Sequence, residues 1–345
     1  MTTAYVTHPR YPEHDLPYHP EHAGRIRAVW RRLEETGLIN RLLSLQAQPI
    51  SDEQILSIHT PEYLALLETI PTFDRTVRLD ADTYACPTSN EIARLSAGGV
   101  TMAVDSVLRG EAKNGIAAVR PPGHHAEPNR GMGFCLLSNV AIAARHAQKQ
   151  YGVERIIIVD YDVHHGNGTE AAFYDDPSIL FISTHQSPLY PGTGAVGDTG
   201  TDKGEGFTIN IPLPANTGDT GYAAVYEQIV VPAAERFKPE LVLVSAGYDA
   251  HWLDPLAGMR LSLTGYAHLG STLIQIADQH CDGKIVFVME GGYNLDALAD
   301  GICNVARLLL GEPIEDPLGP PDDPRREPDI SALIQQIRQV HHLSD

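Results

Sequence analysis

Residues 155–168 read RIIIVDYDVHHGNG, an apolar run that ends in a cluster of acidic and histidine side chains. The run is apolar throughout rather than alternating, which is typical of a parallel strand covered on both faces. Similar short runs recur along the chain at 115–119, 179–183, 207–211, 241–246 and 284–290. Together they predict the strands of a buried, mainly parallel sheet.

Helical patterns occupy the stretches between these strands, at 91–109, 139–151, 221–236 and 264–279. Alternation of strands and helices predicts an α/β fold in which helices cover both faces of the sheet. Since no repeat and no Ser- or Gly-rich linker divides the chain, we expect one domain over residues 1–310. Residues 311–345 form an extension rich in Pro and Asp, which we expect to pack on the same domain.

The carboxyl-terminal extension is predicted to end in a short helix at 332–340. The pair His341 and His342 follows that helix near the end of the chain. We expect both imidazoles to be solvated surface groups, because no strand end or chemical motif lies beside them.

Composition narrows the class of protein. The chain has 345 residues, of which 43% are hydrophobic and 20% charged, values typical of a globular protein with a large core. Its net charge of −19 argues against nucleic-acid binding and suits cationic substrates. No apolar run approaches the roughly 20 residues that span a bilayer, and no signal peptide is expected. Four scattered cysteines predict reduced thiols and a cytoplasmic location, whereas the oligomeric state stays open.

Polar groups follow four of the predicted strands directly. These groups are Arg120–His125 (RPPGHH), Asp160–Gly168, Gly247–Asp249 and Gly291–Tyr293. In open parallel sheets, ligands bind at the carboxyl ends of the strands. We therefore expect these segments to meet at one rim of the sheet.

A metal site is predicted at this rim. Asp160, Asp162 and His164 alternate along extended backbone and so share one face. Asp162 and His164, together with Asp249, could supply three ligands, and three protein ligands plus an open position is the catalytic pattern. Zn²⁺ is the first candidate, with Fe²⁺ or Co²⁺ also compatible. The spacing alone also fits a plain polar loop, but the adjacent histidines and the distant Asp249 favour the metal.

Two further groups are candidates for proton chemistry. His124 and His125 follow two prolines and a glycine, and such positioned imidazoles suit proton transfer near neutral pH. A satisfied structural histidine pair is the alternative. Tyr293 follows two glycines and could donate to a developing oxyanion, although a core tyrosine is the more frequent case.

Taken together, these segments resemble the zinc-dependent histone deacetylase family of the arginase/deacetylase superfamily. The matching stretches are RPPGHH (120–125), GFC (133–135), VDYDVHHGNGT (159–169), PGTG (191–194), SAGYDAH (245–251), DPLAG (254–258) and EGGYN (290–294). They follow the family's order over about residues 5–310. Glu290 and Asn167 are similar to class II and bacterial members.

The resemblance implies a role for each matching residue. It implies Asp162, His164 and Asp249 as zinc ligands, His124 and His125 as the acid/base pair, Asp160 as the carboxylate that orients His124, and Tyr293 as the group that polarises the scissile carbonyl. Asn167 stands where some members have a second Asp behind His125. Because an amide stabilises an imidazolium less than a carboxylate does, we expect His125 to hold its proton less tightly than in those members.

The resemblance also implies a narrow substrate channel and a structural potassium ion. The matching channel positions are Phe134, Tyr190, Gly133, Leu256 and Gly292. Tyr190 replaces the usual second Phe, so the channel stays aromatic and gains a hydroxyl. The matching potassium positions are Asp160, Asp162 and His164, through backbone carbonyls, with Ser183 and Thr184.

Two outer segments complete the comparison. HPEHAGR (19–25) is similar to the family's HPERPER segment, with His22 in place of an arginine that lines an internal cavity in relatives and with Arg25 retained. Asp80 and Asp82 lie in a predicted rim loop, and one of them is a candidate for binding the substrate backbone or a cationic amine. A solvated acidic loop explains either residue equally well.

The activity that the resemblance implies is metal-dependent hydrolysis of N-acyl-lysine in peptides or proteins, or of an acylated polyamine. The stretch SAGYDAHWLDPLAG (245–258) looks closer to deacetylases than to polyamine enzymes. An arginase-type enzyme fits less well, because its second metal needs more carboxylates. A silent acyl-lysine-binding scaffold could keep the metal but lose Tyr293 or the histidine pair, and this chain retains them.

Overall fold

An eight-stranded parallel sheet forms the centre of the protein, for which a computed structural model describes residues 2–322 and 327–343. The strand order is β2-β1-β5-β10-β9-β6-β7-β8, and a short antiparallel hairpin of β3 and β4 lies outside it. The strands are β1 (Thr3–Thr7), β2 (Leu43–Gln46), β3 (Val77–Arg78), β4 (Tyr84–Ala85), β5 (Asn114–Ala117), β6 (Ile156–Asp160), β7 (Ile179–Gln186), β8 (Thr208–Leu213), β9 (Leu241–Ala246) and β10 (Ile285–Met289).

All six predicted strands are present, and their apolar composition matches their position. Every residue of β6, β9 and β10 is buried, as expected for strands covered on both faces. β1 and β2 extend the sheet beyond the prediction. β2 reads LSLQ and alternates half-buried with exposed residues, which is the pattern of an edge strand rather than a buried one.

Helices flank the sheet on both faces, which confirms the predicted α/β class. The helices are α1 (Gly24–Glu35), α2 (Asp52–Ile55), α3 (Pro61–Thr69), α4 (Ser89–Leu108), α5 (Asn139–Tyr151), α6 (Asn167–Phe173), α7 (Asp219–Val225), α8 (Val231–Phe237), α9 (Leu263–Cys281), α10 (Leu295–Leu310) and α11 (Ser331–Val340). α4 packs on α5, whereas α10 packs between α1 and α9.

The predicted helix at 221–236 is wrong as a single α-helix. A π-helical turn, Tyr226–Val230, separates α7 from α8. Pro232 follows this turn in the first positions of α8 and has no N–H to donate to the preceding turn. The wider turn ahead of it is a local adjustment of the kind often found within α-helices.

The strand order brings the predicted functional segments together. β5, β10, β9 and β6 are adjacent in the sheet, and all run in the same direction. The loops that follow these four strands therefore leave from the same edge, and the expected meeting at one rim is confirmed.

Hydrogen bonds attach the carboxyl-terminal extension to the rest of the chain. The Glu327 carboxylate accepts N–H bonds from the first turn of α7, at Gly218, Thr220 and Gly221 (2.8–3.1 Å). The prediction of a solvated His341 is wrong, because this side chain is 3% exposed. Arg236 donates to the His341 carbonyl oxygen (2.6 Å), and this bond fixes the end of α11 against α8. His342 is exposed, as predicted.

Across residues 2–322 and 327–343, no helix combines the length and the apolar character that crossing a membrane requires. The four cysteines are buried and unpaired.

Candidate active site

The three predicted metal ligands converge at the sheet edge. Asp162 and His164 follow β6, and Asp249 follows the neighbouring strand β9. Their ligand atoms lie within 4.8 Å of one another, and all three side chains are buried. The His164 Nδ1 is 3.2 Å from Asp162 Oδ1 and 3.1 Å from Asp249 Oδ2. Two carboxylates and one imidazole at this spacing fit a divalent cation with open coordination positions.

The electrostatics of this cluster also favour a cation. Burial opposes charge on His164, but its bonds to Asp162 and Asp249 raise the pKa of His164 to about 10. Two buried carboxylates thus create a potential that retains a positive charge at the position where the three ligand atoms meet.

Glycines allow the strand ends to approach the ligands. A Cβ at Gly247 would overlap the Asp162 carboxylate, and a Cβ at Gly291 would overlap the Asp249 carboxylate. The Gly291 N–H donates to Asp162 Oδ2 at 2.8 Å. The loop that carries Tyr293 is therefore built directly against the candidate metal ligands.

The tandem histidines occupy different environments. His124 Nδ1 lies 2.9 Å from Asp160 Oδ2, and His125 Nδ1 lies 2.8 Å from Asn167 Oδ1. Although burial disfavours its charged form, the carboxylates of Asp162 and Asp160 raise the pKa of His124 well above its ordinary value. Burial and the neighbouring His124 lower the pKa of His125 well below it. The pair can therefore combine one charged and one neutral imidazole.

Tyr293 is held by its backbone at the same rim. Asp254 Oδ2 accepts the N–H groups of Tyr293 (2.7 Å) and Asn294 (3.2 Å), and the guanidinium of Arg25 lies 5.0 Å from the Tyr293 ring centroid. Gly292 adopts φ +112°, which a side chain would strain, and its carbonyl accepts from Arg25 Nε at 2.8 Å. Burial raises the pKa of Tyr293 well above 10, so its hydroxyl stays a donor.

Aromatic side chains surround the approach to the histidines. The Phe134 ring packs edge-on against Tyr293 (5.8 Å between centroids), and Tyr190 packs edge-on against His125 (5.2 Å). Gly133 lies against His125 so closely that a Cβ would overlap the imidazole. Leu256 is half-buried, and its N–H donates to Asp254 Oδ1 (2.9 Å). The predicted channel residues therefore include close neighbours of both His125 and Tyr293.

The rim aspartates differ in their roles within the loop between β3 and β4. Asp80 Oδ1 accepts the N–H groups of Asp82 (3.0 Å) and Thr83 (2.6 Å), so its carboxylate closes the turn. Burial and the nearby Asp80 raise the pKa of Asp82. Thr83 Oγ1 accepts the Phe134 N–H at 3.0 Å, which joins this loop to the aromatic wall.

Arg25, and not His22, extends inward below the rim. The Arg25 side chain is fully buried and donates to the carbonyl oxygens of Glu290 and Gly292. His22 is half-buried and turns back to accept the Gly24 N–H at 3.1 Å. The His22 imidazole, which replaces the relatives' arginine, therefore bonds its own turn, whereas the retained Arg25 bonds the loop that carries Tyr293.

The predicted potassium positions lie at and just beyond the end of β6 and within β7. Asp160 is the register partner of Ser183, and Thr184 Oγ1 donates to the Asp160 carbonyl at 3.3 Å. All five predicted residues are buried, namely Asp160, Asp162, His164, Ser183 and Thr184. Carbonyl and hydroxyl oxygens are thus available together beside the candidate metal ligands.

Three carboxylates at the site were not assigned a role from the sequence. Asp254 bonds the Tyr293 loop, Glu290 Oε2 accepts the Gly123 N–H (2.7 Å), and Glu127 Oε1 accepts from Asn167 Nδ2 (2.8 Å). Asp254 and Glu290 are the first residues of the motifs DPLAG and EGGYN, and Glu127 lies two residues after RPPGHH, so each adjoins a residue to which a role was assigned. That adjacency is the only sequence signal that could have identified them.

Comparisons with known proteins identify the family of this chain. Residues 19–309 match the sequence profile described as histone deacetylase domain. Histone deacetylase 14, chloroplastic, of Arabidopsis thaliana is 40% identical over 96% of this chain and 82% of its own length. A probable deacetylase of Archaeoglobus fulgidus is 44% identical over 86% of this chain and 82% of its own. The crystal structure of the HDA15 HD domain superposes with a TM-score of 0.89 at 35% identity, covering 99% of this chain and 94% of that one. The chain therefore belongs to the histone deacetylase family.

Proposed function

We propose that this protein is a metal-dependent amidohydrolase that removes an acyl group, acetyl first of all, from N-acyl-lysine in peptides or proteins. The observation that carries the proposal is the meeting of three groups at one sheet edge. A three-donor metal site, an oriented histidine pair and a backbone-held tyrosine leave from adjacent parallel strands. Membership of the histone deacetylase family supports deacetylation as the reaction class.

Asp162, His164 and Asp249 would hold the metal, for which Zn²⁺ is the first candidate and Fe²⁺ or Co²⁺ fit the same donors. A metal bound there would polarise the amide carbonyl and acidify a water molecule. The oxygens of Asp160, Ser183 and Thr184, with those of the ligand loop, support a potassium ion as a second, structural cation.

The chain's own residues would move the protons. His125, neutral with its Nδ1–H directed at Asn167, would take a proton from water on Nε2 and return it to the leaving amine. His124, held by Asp160, would act as a fixed positive partner. The Tyr293 hydroxyl would donate to the carbonyl oxygen as negative charge develops on it.

The proposed substrate binding depends on residues at the rim of the site. Phe134 and Tyr190 would contact the aliphatic part of an acyl-lysine side chain, and Asp82 would bind its backbone or a nearby cationic group. The net charge of −19 favours positively charged substrates. Buried, unpaired cysteines support a reducing compartment such as the cytoplasm.

A direct test compares kcat/KM of the metal-replete enzyme for an acetyl-lysine peptide and for an N-acetylpolyamine. We expect the peptide to be preferred. A preference for the polyamine would reassign the substrate and leave the chemistry in place. Activity on neither substrate, with one metal bound per chain, would contradict the proposed reaction.

A further inference from the structure

A line of three polar side chains runs from His125 to the surface. His125 Nδ1 lies 2.8 Å from Asn167 Oδ1, and Asn167 Nδ2 donates to Glu127 Oε1 at 2.8 Å. Arg130 donates to both carboxylate oxygens of Glu127, at 2.9 and 3.0 Å. We propose that Glu127 is a positioning residue for His125 and acts by fixing the Asn167 amide. The proposal rests on the proposed function, in which His125 is the base.

The orientation of the amide follows from the chemistry of its neighbours. A carboxylate only accepts hydrogen bonds, so the Asn167 NH₂ must face Glu127 and its Oδ1 must face His125. An amide oxygen also only accepts, so His125 carries its proton on Nδ1. The lone pair of the neutral ring then lies on Nε2, which is the atom that the proposed proton transfer needs.

The opposite orientation would remove that lone pair. If the amide turned, its NH₂ would face His125 Nδ1 and would favour the tautomer protonated on Nε2. The other acceptors near Asn167 Nδ2 are the His125 carbonyl at 3.5 Å and the Met132 sulfur at 3.3 Å. Both are weaker partners than a carboxylate at 2.8 Å, so Glu127 decides the orientation.

Glu127 is itself held in place by several bonds. Its N–H donates to the Arg130 carbonyl at 3.0 Å, and its own carbonyl oxygen lies 3.1 Å from His59 Nδ1. Asn167 is 6% exposed and His125 is 4% exposed, whereas the Glu127 side chain is 23% exposed. Some relatives have a carboxylate directly beside the imidazole. In this chain the negative charge belongs to Glu127, which is separated from His125 by Asn167 and is paired with Arg130.

This arrangement makes residues 127 and 167 a matched pair. An Asp at position 167 would place two acceptor carboxylates against each other with no donor between them. A Gln at position 127 would restore a donor for that Asp. The effect of Asn167→Asp must therefore depend on which residue occupies position 127.

A double-mutant cycle tests this dependence. We expect Asn167→Asp to lower kcat of the zinc-loaded enzyme about tenfold or more, and Glu127→Gln alone to have a smaller effect, because its amide oxygen still accepts from Asn167. The double variant should recover most of the activity that Asn167→Asp loses. Losses that simply multiply in the double variant would overturn the proposal.

A second readout does not depend on turnover. ¹⁵N NMR of labelled imidazoles in the zinc-loaded protein should report a neutral His125 protonated on Nδ1, identified by loss of the signal in His125→Gln. Glu127→Ala should shift that signal toward the Nε2-protonated form. Glu13→Ala is the matched control, since Glu13 also pairs with an arginine three residues away, at 2.8–2.9 Å, and lies apart from the site.

The two readouts separate the failure of this inference from the failure of the proposed function. A wild-type His125 protonated on Nε2, or a signal that Glu127→Ala leaves unchanged, would overturn the role of Glu127 even in an active enzyme. The expected NMR result in a protein that hydrolyses no acyl-lysine would uphold the positioning and reject the activity.

Discussion

We predict that the buried side chain of His59 makes the folded protein less stable in acid. This buried side chain uses both ring nitrogens, because Nε2 accepts the Ser138 N–H at 2.9 Å and Nδ1 donates to the Glu127 carbonyl at 3.1 Å. A proton on Nε2 would face the Ser138 N–H. Burial accordingly lowers the pKa of His59 to about 4.

The sign and size of the effect follow from linkage. The unfolded chain binds the proton near pH 6.5 and the native state near pH 4, so the native state binds fewer protons between these values. The stability contributed by neutral His59 is complete above pH 6.5 and is lost as the pH falls toward 4. The full loss is roughly 3 kcal/mol, of which about 2.5 kcal/mol is reached at pH 4.5.

His59→Gln isolates this contribution. Its amide oxygen can accept from Ser138 and does not titrate, but the bond to the Glu127 carbonyl is lost, at a cost of about 1 kcal/mol at pH 7. The variant should therefore be less stable than wild type at pH 7 and more stable by about 1.5 kcal/mol at pH 4.5.

Urea unfolding of both proteins at the two pH values measures the difference in free energy of unfolding. Comparison of two proteins is necessary because other buried histidines, such as His14 and His185, also have a lowered pKa and destabilise both proteins in acid. A difference that stays constant between pH 7 and 4.5 would refute the reasoning.

Four further predictions concern the site and the extension. Tyr293→Phe should lower kcat about 100-fold or more with little change in KM, and full activity would contradict the oxyanion role. Asp254→Asn should lower kcat about tenfold, because its NH₂ must face an N–H donor of either Tyr293 or Leu256, but should cost nothing further in the Tyr293→Phe background. Asp249→Ala should abolish tight metal binding, measured as metal per chain, and one retained metal would contradict the ligand set. Glu327→Ala should lower Tm by a few degrees without changing kcat, and an unchanged Tm would contradict the cap on α7.

The sheet could be predicted where burial leaves a simple pattern. β6, β9 and β10 are apolar at almost every position, and such runs have few alternatives to a covered parallel strand. β2 was not predicted because this edge strand is only half-buried and its pattern resembles that of a loop. β1 is a buried inner strand, but its five residues, TAYVT, do not form a continuous apolar run. The π-helical turn before Pro232 was not predicted, because hydrophobic periodicity locates a helix but does not report its hydrogen-bond register.

The site could be predicted where one short segment carries the chemistry. Asp162 and His164 share an extended segment, and their side chains meet because of local spacing. The contact of Asp249 with them depends on β9 lying beside β6, which the strand ends suggested and the sheet order confirms. His341 was placed wrongly because its burial depends on α8, more than 100 residues away in sequence.

Bonds between separate loops were the least accessible to sequence reasoning, yet they explain how the rim holds its shape. Glu290 joins its own loop to Gly123, Asp254 joins the metal-ligand loop to Tyr293, and Glu127 joins the histidine loop to Asn167. In each case a carboxylate accepts an N–H from a different segment. A backbone or amide N–H exists almost everywhere in a chain, so the acceptor's sequence does not reveal its partner. Because these contacts couple the loops, substitutions at Asp254 and Tyr293, or at Glu127 and Asn167, should act as units rather than independently.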